Sequence, residues 1–445
     1  MIYSFLRSLI RIALKVYFRK FHIKGRENIP QEGPFLIVAN HPSSFLDPMS
    51  IAVLVPQKIS FLAKATMFNY KIIAWILKGL NLVPIYRAAD NPGMVSKNQE
   101  MFKSCYQKLS NDGVIMIFPE GTSENERKLR KIKTGAARIA LGTAKETNFD
   151  VNVKILPVGL NYTKSSTFRS ELFLEFGKPI EAKDYFDAFK NNEKEAAKKL
   201  TDEIEKSIID LIINIEEDEY EVLVKQVESL LNYSSSNNAD NPFETIEISQ
   251  NIYAAIEYYR KNDQKQFNHI KKKIDNYFRN LEAINLSDKM IADGVERKNF
   301  WNYIFKSLII LIFGFPFWLF GYINSFIPYK IPRYLALLIT KSEAFYGALL
   351  MSIGTFSFMF FYSFILYWVA KYSGSNIITI SYAIALPLCG LFTMFYARVA
   401  RKFYYNWRFV ACFFSKQKLV IQLASTRNGI IKELNRLQDN MPKIE

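Results

Sequence analysis

The sequence predicts an α/β domain, with a mixed, mostly parallel sheet flanked by helices, then a helical region and a C-terminal α-helical membrane domain. Three observations carry this prediction. From about residue 23 to 179, short apolar runs alternate with amphipathic segments, the signature of strands and helices in turn. Charged sequence with apolar residues at helical spacing then runs to about residue 302. Finally, residues 307–327, 345–370 and 377–397 contain no charged side chain, and each run is long enough to cross about 30 Å of hydrocarbon.

Composition narrows the partners. The 445-residue chain carries a net charge of +16, yet it is 49% hydrophobic and 15% aromatic. Disordered chains combine high charge with few aromatics, so this mixture points instead to contact with something anionic and something apolar. A phospholipid membrane answers both; nucleic acid answers only the first, and no nucleic-acid-binding module is present. Cys105, Cys389 and Cys412 have neither paired nor metal-ligand spacing, which argues against a disulfide framework and a metal centre and fits a reducing compartment.

Taken in order, residues 1–26 carry Arg7, Arg11, Lys15, Arg19, Lys20, Lys24 and Arg26 without one acid, interleaved with Leu6, Leu9, Ile10, Leu14 and Val16. This reads as a basic amphipathic helix lying on anionic headgroups, the alternative being an ordinary helix packed on the domain. Strands are expected over 35–39, 59–63, 82–85, 114–118, 155–160 and 172–176, and helices over 70–78, 98–109 and 134–145. In such sheets functional groups gather at the carboxyl ends of strands. The first such end is Asn40-His41-Pro42-Ser43-Ser44-Phe45-Leu46-Asp47, where an imidazole has a carboxylate within reach to fix its tautomer. A plain helix start capped by Ser43 or Ser44 is the competing reading. Arg87 follows the run Leu82-Val83-Pro84-Ile85-Tyr86, and its planar fork of donors suits phosphate. Phe118-Pro119-Glu120-Gly121-Thr122-Ser123 follows the run 114–118, and a basic loop from Arg127 to Lys133 comes next.

These blocks together resemble the glycerolipid acyltransferase family, which includes lysophosphatidic acid and glycerol-3-phosphate acyltransferases. The family's His–Asp box is matched by His41 and Asp47, its acceptor block by Val83 to Arg87, its Phe-Pro-Glu-Gly-Thr block by Phe118 to Thr122, and its fourth block by Leu156-Pro157-Val158. Five residues separate His41 from Asp47, where the commoner bacterial form has four. That spacing, with the ending Val158-Gly159-Leu160-Asn161-Tyr162, is similar to the yeast-type glycerol-3-phosphate/dihydroxyacetone-phosphate acyltransferases. Ser123 stands where the commoner third block has an arginine.

The resemblance implies an acyltransferase domain over residues 27–182 and transfer of a fatty acyl group from a thioester to a hydroxyl of glycerol-3-phosphate or dihydroxyacetone phosphate in phospholipid biosynthesis. The donor would be acyl-CoA or acyl carrier protein, with no cofactor and no metal. His41 would be the general base, oriented by Asp47; Arg87 would hold the phosphate; Glu120, Gly121, Thr122 and Ser123 would position the acceptor, with Lys64 and Arg127 as further anion contacts. Lysophosphatidic acid, or another lysolipid or aminolipid, is the alternative acceptor, and a non-catalytic lipid-binding scaffold the alternative class.

The remaining regions are read as a charged helical arm (183–302), a membrane domain (303–400) and a basic cytoplasmic tail (401–445). Gly314 and Pro316 mark 307–327 as kinked or re-entrant, leaving 345–370 and 377–397 as full spans. Basic residues flank these spans, and only Lys371 lies between them, so the positive-inside rule places the catalytic domain and both termini in the cytoplasm of a bacterial inner membrane or its equivalent.

Overall fold

A computed structural model describes residues 2–69, 81–85, 98–235, 241–295 and 300–442. Among the described residues, eight strands form one sheet: β1 (Lys20–Lys24), β2 (Phe35–Ala39), β3 (Ile59–Lys64), β4 (Leu82–Ile85), β5 (Val114–Ile117), β6 (Lys154–Tyr162), β7 (Glu171–Phe176) and β8 (Ile180–Glu181). Their order is β1-β7-β6-β2-β5-β3-β4, with β8 also on β6. The pairs β6–β7 and β6–β8 are antiparallel and the others parallel, so the sheet is mixed and mostly parallel as expected. The strands read from apolar runs form within a residue or two of their expected bounds.

β1 was hidden in the segment read as part of the interfacial helix. Its partner, β7, lies some 150 residues away, with Lys20 opposite Glu171. Phe21 and Ile23 pack towards the core while Lys20 and Lys24 stay exposed, an alternation too short to stand out from the basic run before it.

Both faces of the sheet are covered. Successive side chains of a strand point to opposite faces, so Leu36 and Val38 of β2 join Ile115 and Ile117 beneath the helices α3 (Asn98–Ser110), α4 (Gly135–Glu146) and α6 (Glu193–Ile209). Phe35, Ile37 and Ala39 join Met116 and Leu156 on the other face, against α1 (Ile2–Tyr17) and α2 (Leu46–Ala52). All five residues of β2 are buried, which is why its sequence is a continuous apolar run without alternation. The helix expected over 70–78 lies outside the described residues.

Within α1, the guanidinium groups of Arg7 and Arg11 reach the loop that follows α2. Arg7 donates to the carbonyls of Val55 (2.5 Å) and Pro56 (3.0 Å), and Arg11 to that of Val53 (3.0 Å). They satisfy the carbonyls left unpaired where α2 ends, a favourable place for a cation. Two of the charges assigned to headgroups are therefore spent on packing, although Phe5, Ile12 and Val16 remain exposed along the outer face.

The described chain forms two compact units, Met1–Glu216 with Leu335–Ile353, and Glu217–Tyr334 with Gly354–Glu445. The first includes α5 (Phe186–Asn191). The second includes α7 (Glu221–Ser235), α8 (Glu244–Asn262), α9 (Gln264–Ala283), α10 (Asp288–Val295), α11 (Phe300–Phe313), α14 (Asn376–Ser415) and α15 (Gln417–Asp439). Two long helices, α12 (Phe315–Ile339) and α13 (Glu343–Ser373), carry the chain from one unit to the other. Residues 335–353, read from sequence as membrane domain, thus belong to the first unit.

The expected tail is also not a loose one. Arg427 of α15 is buried and donates to both carboxylate oxygens of Asp288 (2.8 and 3.3 Å), which also accepts from Tyr277. A buried carboxylate needs such partners, and the helix carrying its cation is thereby held to the unit. By length and composition α13 and α14 can each cross a membrane. The stretch read as kinked does bend, by 58° between α11 and α12. Gly314 sits at the break and Pro316, which has no N–H to donate, lies in the first turn beyond it.

Candidate active site

Strand register brings the expected blocks together. In the parallel pair β2–β5, Val38 lies opposite Ile117, so His41 and Glu120 each leave the sheet three residues later at the same edge. On the other side Ala39 lies opposite Val158, and β6 runs on for four residues past that pair, ending at Tyr162. Asn40 finishes the β2–β6 seam with its side chain. Its amide donates to the Leu160 carbonyl (2.9 Å) and its carbonyl accepts the Leu160 N–H (2.8 Å), imitating a strand while the main chain turns away.

The turn delivers His41 to Asp47. His41 Nδ1 is 2.8 Å from Asp47 Oδ2, and the Asp47 side chain is fully buried while that of His41 keeps 18% of its surface open. The same oxygen accepts the Ser43 N–H (2.8 Å), and Oδ1 accepts the Tyr162 hydroxyl (2.7 Å). With Nδ1 facing a carboxylate, Nε2 is the ring nitrogen left to exchange a proton with a substrate. The His41 ring is held from one face by Phe118, stacked at 3.9 Å and 14°. Burial first, and then the Asp47 charge, drive the Tyr162 hydroxyl far above its usual range, so it remains a proton donor to the carboxylate.

The capped-helix reading of this turn is corrected by the geometry. Phe45 stands at the N-cap of α2, and no side chain caps that end. Ser44, held at a positive φ of 40°, gives its N–H to Ser123 Oγ (2.7 Å). The five-residue spacer thus forms a turn that points Asp47 back at the residue it follows.

Glu120 was expected to position the acceptor, but it positions the enzyme's own loops. One oxygen accepts the His41 N–H (2.7 Å) and the other the Arg130 N–H (3.1 Å), and the residue is buried. Burial pushes its carboxyl upward, and those two N–H bonds oppose the push. Gly121 takes a φ of 74°, in the left-handed region that favours glycine, and the Lys133 ammonium lies beside it where a side chain would begin. Ser123, placed among the acceptor contacts, has its hydroxyl engaged by Ser44.

The other expected residues fall out as follows. Thr122 is exposed at the tip of the block, and Arg127 is half-buried on the basic loop, its carbonyl accepting the Ile215 N–H (2.7 Å). Lys64 ends β3, but its side chain and all of Arg87 lie outside the described residues. Among the described residues no group of three or more His, Cys, Asp or Glu could hold a metal. Sequence reasoning set Asn40, Phe118 and Tyr162 within its blocks and Lys133 in its basic loop, but gave Asn40, Phe118 and Tyr162 no role of their own. Tyr162 closes the fourth block and Phe118 opens the third, so position in the motif was the available signal.

Residues 20–161 match the family model described as "Acyltransferase". The chain is 24% identical over 400 residues to glycerol-3-phosphate O-acyltransferase 1 of Saccharomyces cerevisiae, a match spanning 70% of this chain and 52% of that protein. To glycerol-3-phosphate O-acyltransferase 2 of the same yeast it is 27% identical over 203 residues, 44% of this chain and 26% of the relative. It is also 31% identical over 134 residues to a chloroplastic 1-acyl-sn-glycerol-3-phosphate acyltransferase of Arabidopsis thaliana, 29% of this chain and 35% of that one. The chain therefore spans about half the length of the first of these relatives and about a quarter of the second.

Proposed function

We propose, from the acyltransferase domain that residues 20–161 form, that this protein is a membrane-bound O-acyltransferase. It moves a fatty acyl group from a thioester to a hydroxyl of glycerol-3-phosphate or dihydroxyacetone phosphate, in phospholipid biosynthesis. The observation that carries the reading is the His41 ring, 2.8 Å from the buried Asp47 and with one nitrogen left for substrate. The acceptor choice draws support from the five-residue spacer and from the match of 70% of this chain to the yeast glycerol-3-phosphate enzyme.

In the proposed reaction, His41 Nε2 takes the proton of the acceptor hydroxyl as its oxygen attacks the thioester carbonyl. Asp47 stabilises the imidazolium that forms and keeps its tautomer fixed. The tetrahedral intermediate collapses by breaking the C–S bond, and the departing thiolate receives the proton back from His41. Serine or cysteine nucleophiles have no part, since the acceptor oxygen itself forms the new ester. Tyr162 and Glu120 act as positioning residues, one on the Asp47 carboxylate and one on the His41 backbone. Lys133, and Arg87 by its place in the acceptor block, supply cations for the acceptor phosphate. The helices α13 and α14 support membrane attachment, with the catalytic unit on the cytoplasmic side.

The 31% identity to the plant 1-acylglycerol-3-phosphate enzyme favours lysophosphatidic acid as a second acceptor reading. Acyl transfer by membranes containing the protein, tested in parallel with glycerol-3-phosphate, dihydroxyacetone phosphate and lysophosphatidic acid, separates the readings. Turnover confined to lysophosphatidic acid would reject the first. His41→Ala should lower turnover by about 10²–10⁴-fold, the usual contribution of a positioned base. Undiminished turnover in that variant would remove His41 from the mechanism.

A further inference from the structure

The first unit contains one segment from far outside the acyltransferase domain, Leu335–Ile353, and it is seated on the loop that carries His41. Glu343, the first residue of α13, accepts from the Asn125 amide (3.0 Å), whose carbonyl accepts from the buried Ser165 hydroxyl (3.1 Å). Ser43 Oγ lies 3.5 Å from the Ala344 carbonyl. Gly347 lies so close to the domain that a Cβ there would sit 2.3 Å from the Ser165 carbonyl oxygen and 2.9 Å from Leu46 Cδ1. The next residue, Ala348, and Met351 one turn further are buried in the same core cluster as Leu46 and Ile51. Buried contacts and polar ties therefore fix the start of this helix against the turn between His41 and Asp47.

Two aromatic rings stay open at this junction. Phe45, within the His41–Asp47 spacer, and Phe345, on the first turn of α13, meet edge to face with ring centroids 6.1 Å apart. They keep 43% and 39% of their surface exposed, although their neighbours Ser44, Leu46 and Ala344 are buried. Leu349, one turn along, shares the face of Phe345, and α13 carries no further charge until Lys371. The cations read as phosphate contacts lie on other loops, and beyond the exposed Glu343–Asn125 pair the two open rings present apolar surface at this junction.

We propose that Phe45, Phe345 and Leu349 form the subsite for the acyl chain of the thioester donor, one wall of it supplied by α13. The assignment rests on the acyl-transfer reading, because the carbonyl under attack must sit at His41 and its chain must leave along an apolar surface, and Phe45 belongs to the turn that carries His41. A hydrocarbon chain gains contact with each further methylene laid on such a surface, so the wall selects for chain length.

Two measurements on the full chain in membranes test this. First, with a photoreactive fatty-acyl thioester as probe, crosslinks are expected on Phe45, Phe345 or Leu349. Crosslinks that spare all three overturn the inference even where transfer is intact. Crosslinks at these residues in a protein that transfers to no acceptor would keep the subsite and reject the reaction. Second, Phe345→Ala should lower the kcat/KM ratio of a palmitoyl over an octanoyl donor roughly tenfold, with Phe345→Leu recovering part of the loss. An unchanged ratio in Phe345→Ala overturns the inference, and because the ratio compares two donors on one preparation, partial misfolding does not imitate the effect.

Discussion

Replacing Tyr162 by Phe deletes one hydroxyl and leaves the ring, which packs beside Phe18 with centroids 5.8 Å apart. The lost bond is the 2.7 Å donation to Asp47 Oδ1; Oδ2 keeps both the His41 ring and the Ser43 N–H. A hydrogen bond to a charged acceptor contributes ~1.5–3 kcal/mol. Part of that loss falls on folding and should lower Tm by a few degrees. The rest falls on the pair itself. With Oδ1 released, the Asp47 carboxylate is held on one side only, and the His41 ring it orients is aimed less firmly at substrate. At about 1.4 kcal/mol per tenfold in rate, kcat should fall by roughly tenfold with little change in KM. The assay is kcat and KM for glycerol-3-phosphate in wild type and Tyr162→Phe, with thermal melts alongside. A kcat that stays in place while Tm falls would reduce Tyr162 to a packing residue and refute the positioning role.

Glu120→Gln keeps the shape but can turn only one oxygen toward the two N–H groups that Glu120 now serves, and stranding a buried donor costs ~1–3 kcal/mol. A lower Tm and a lower kcat are expected with little change in KM for the acceptor; a change confined to KM would return Glu120 to acceptor binding. At the sheet edge, burial alone would raise the Glu171 carboxyl, but hydrogen bonds from Arg19 and His22 outweigh it and hold the group below its usual 4.5. Its contribution is therefore present above that value and lost as pH falls through the depressed one. Melts of Glu171→Gln in acid should lose less Tm than wild type, and parallel curves would contradict the assignment. For topology, cysteines placed at Ser373 and Ser325 should be labelled from outside only at Ser373; outside labelling at Ser325 would reject a re-entrant α11–α12 segment.

The sequence by itself determined the centre of the sheet, because β2 and β5 bury both faces and so read as uninterrupted apolar runs between turn residues. It also located His41 and Asp47, whose contact is local and follows from one turn of chain. The chain pattern marked the bend at Gly314 for a similar reason: glycine and proline act on the backbone at their own position.

Contacts between distant segments were decided only by the tertiary structure. Tyr162 reaches Asp47 across 115 residues because β6 outruns β2, and only the strand register contains that information. Glu120 looked like a substrate ligand because sequence gives a residue's type but not its partners; the parallel alignment of β2 and β5 aims it at the His41 backbone. β1 was invisible without β7, and Arg7 and Arg11 without the end of α2. A further such contact is that of Leu335–Ile353, a stretch that belongs to the first unit although its helix α13 is long and apolar enough to cross a membrane. Hydropathy averages a segment's composition, whereas the small residues Ala344, Gly347 and Ala348 on one face of α13 decide what that segment can be packed against.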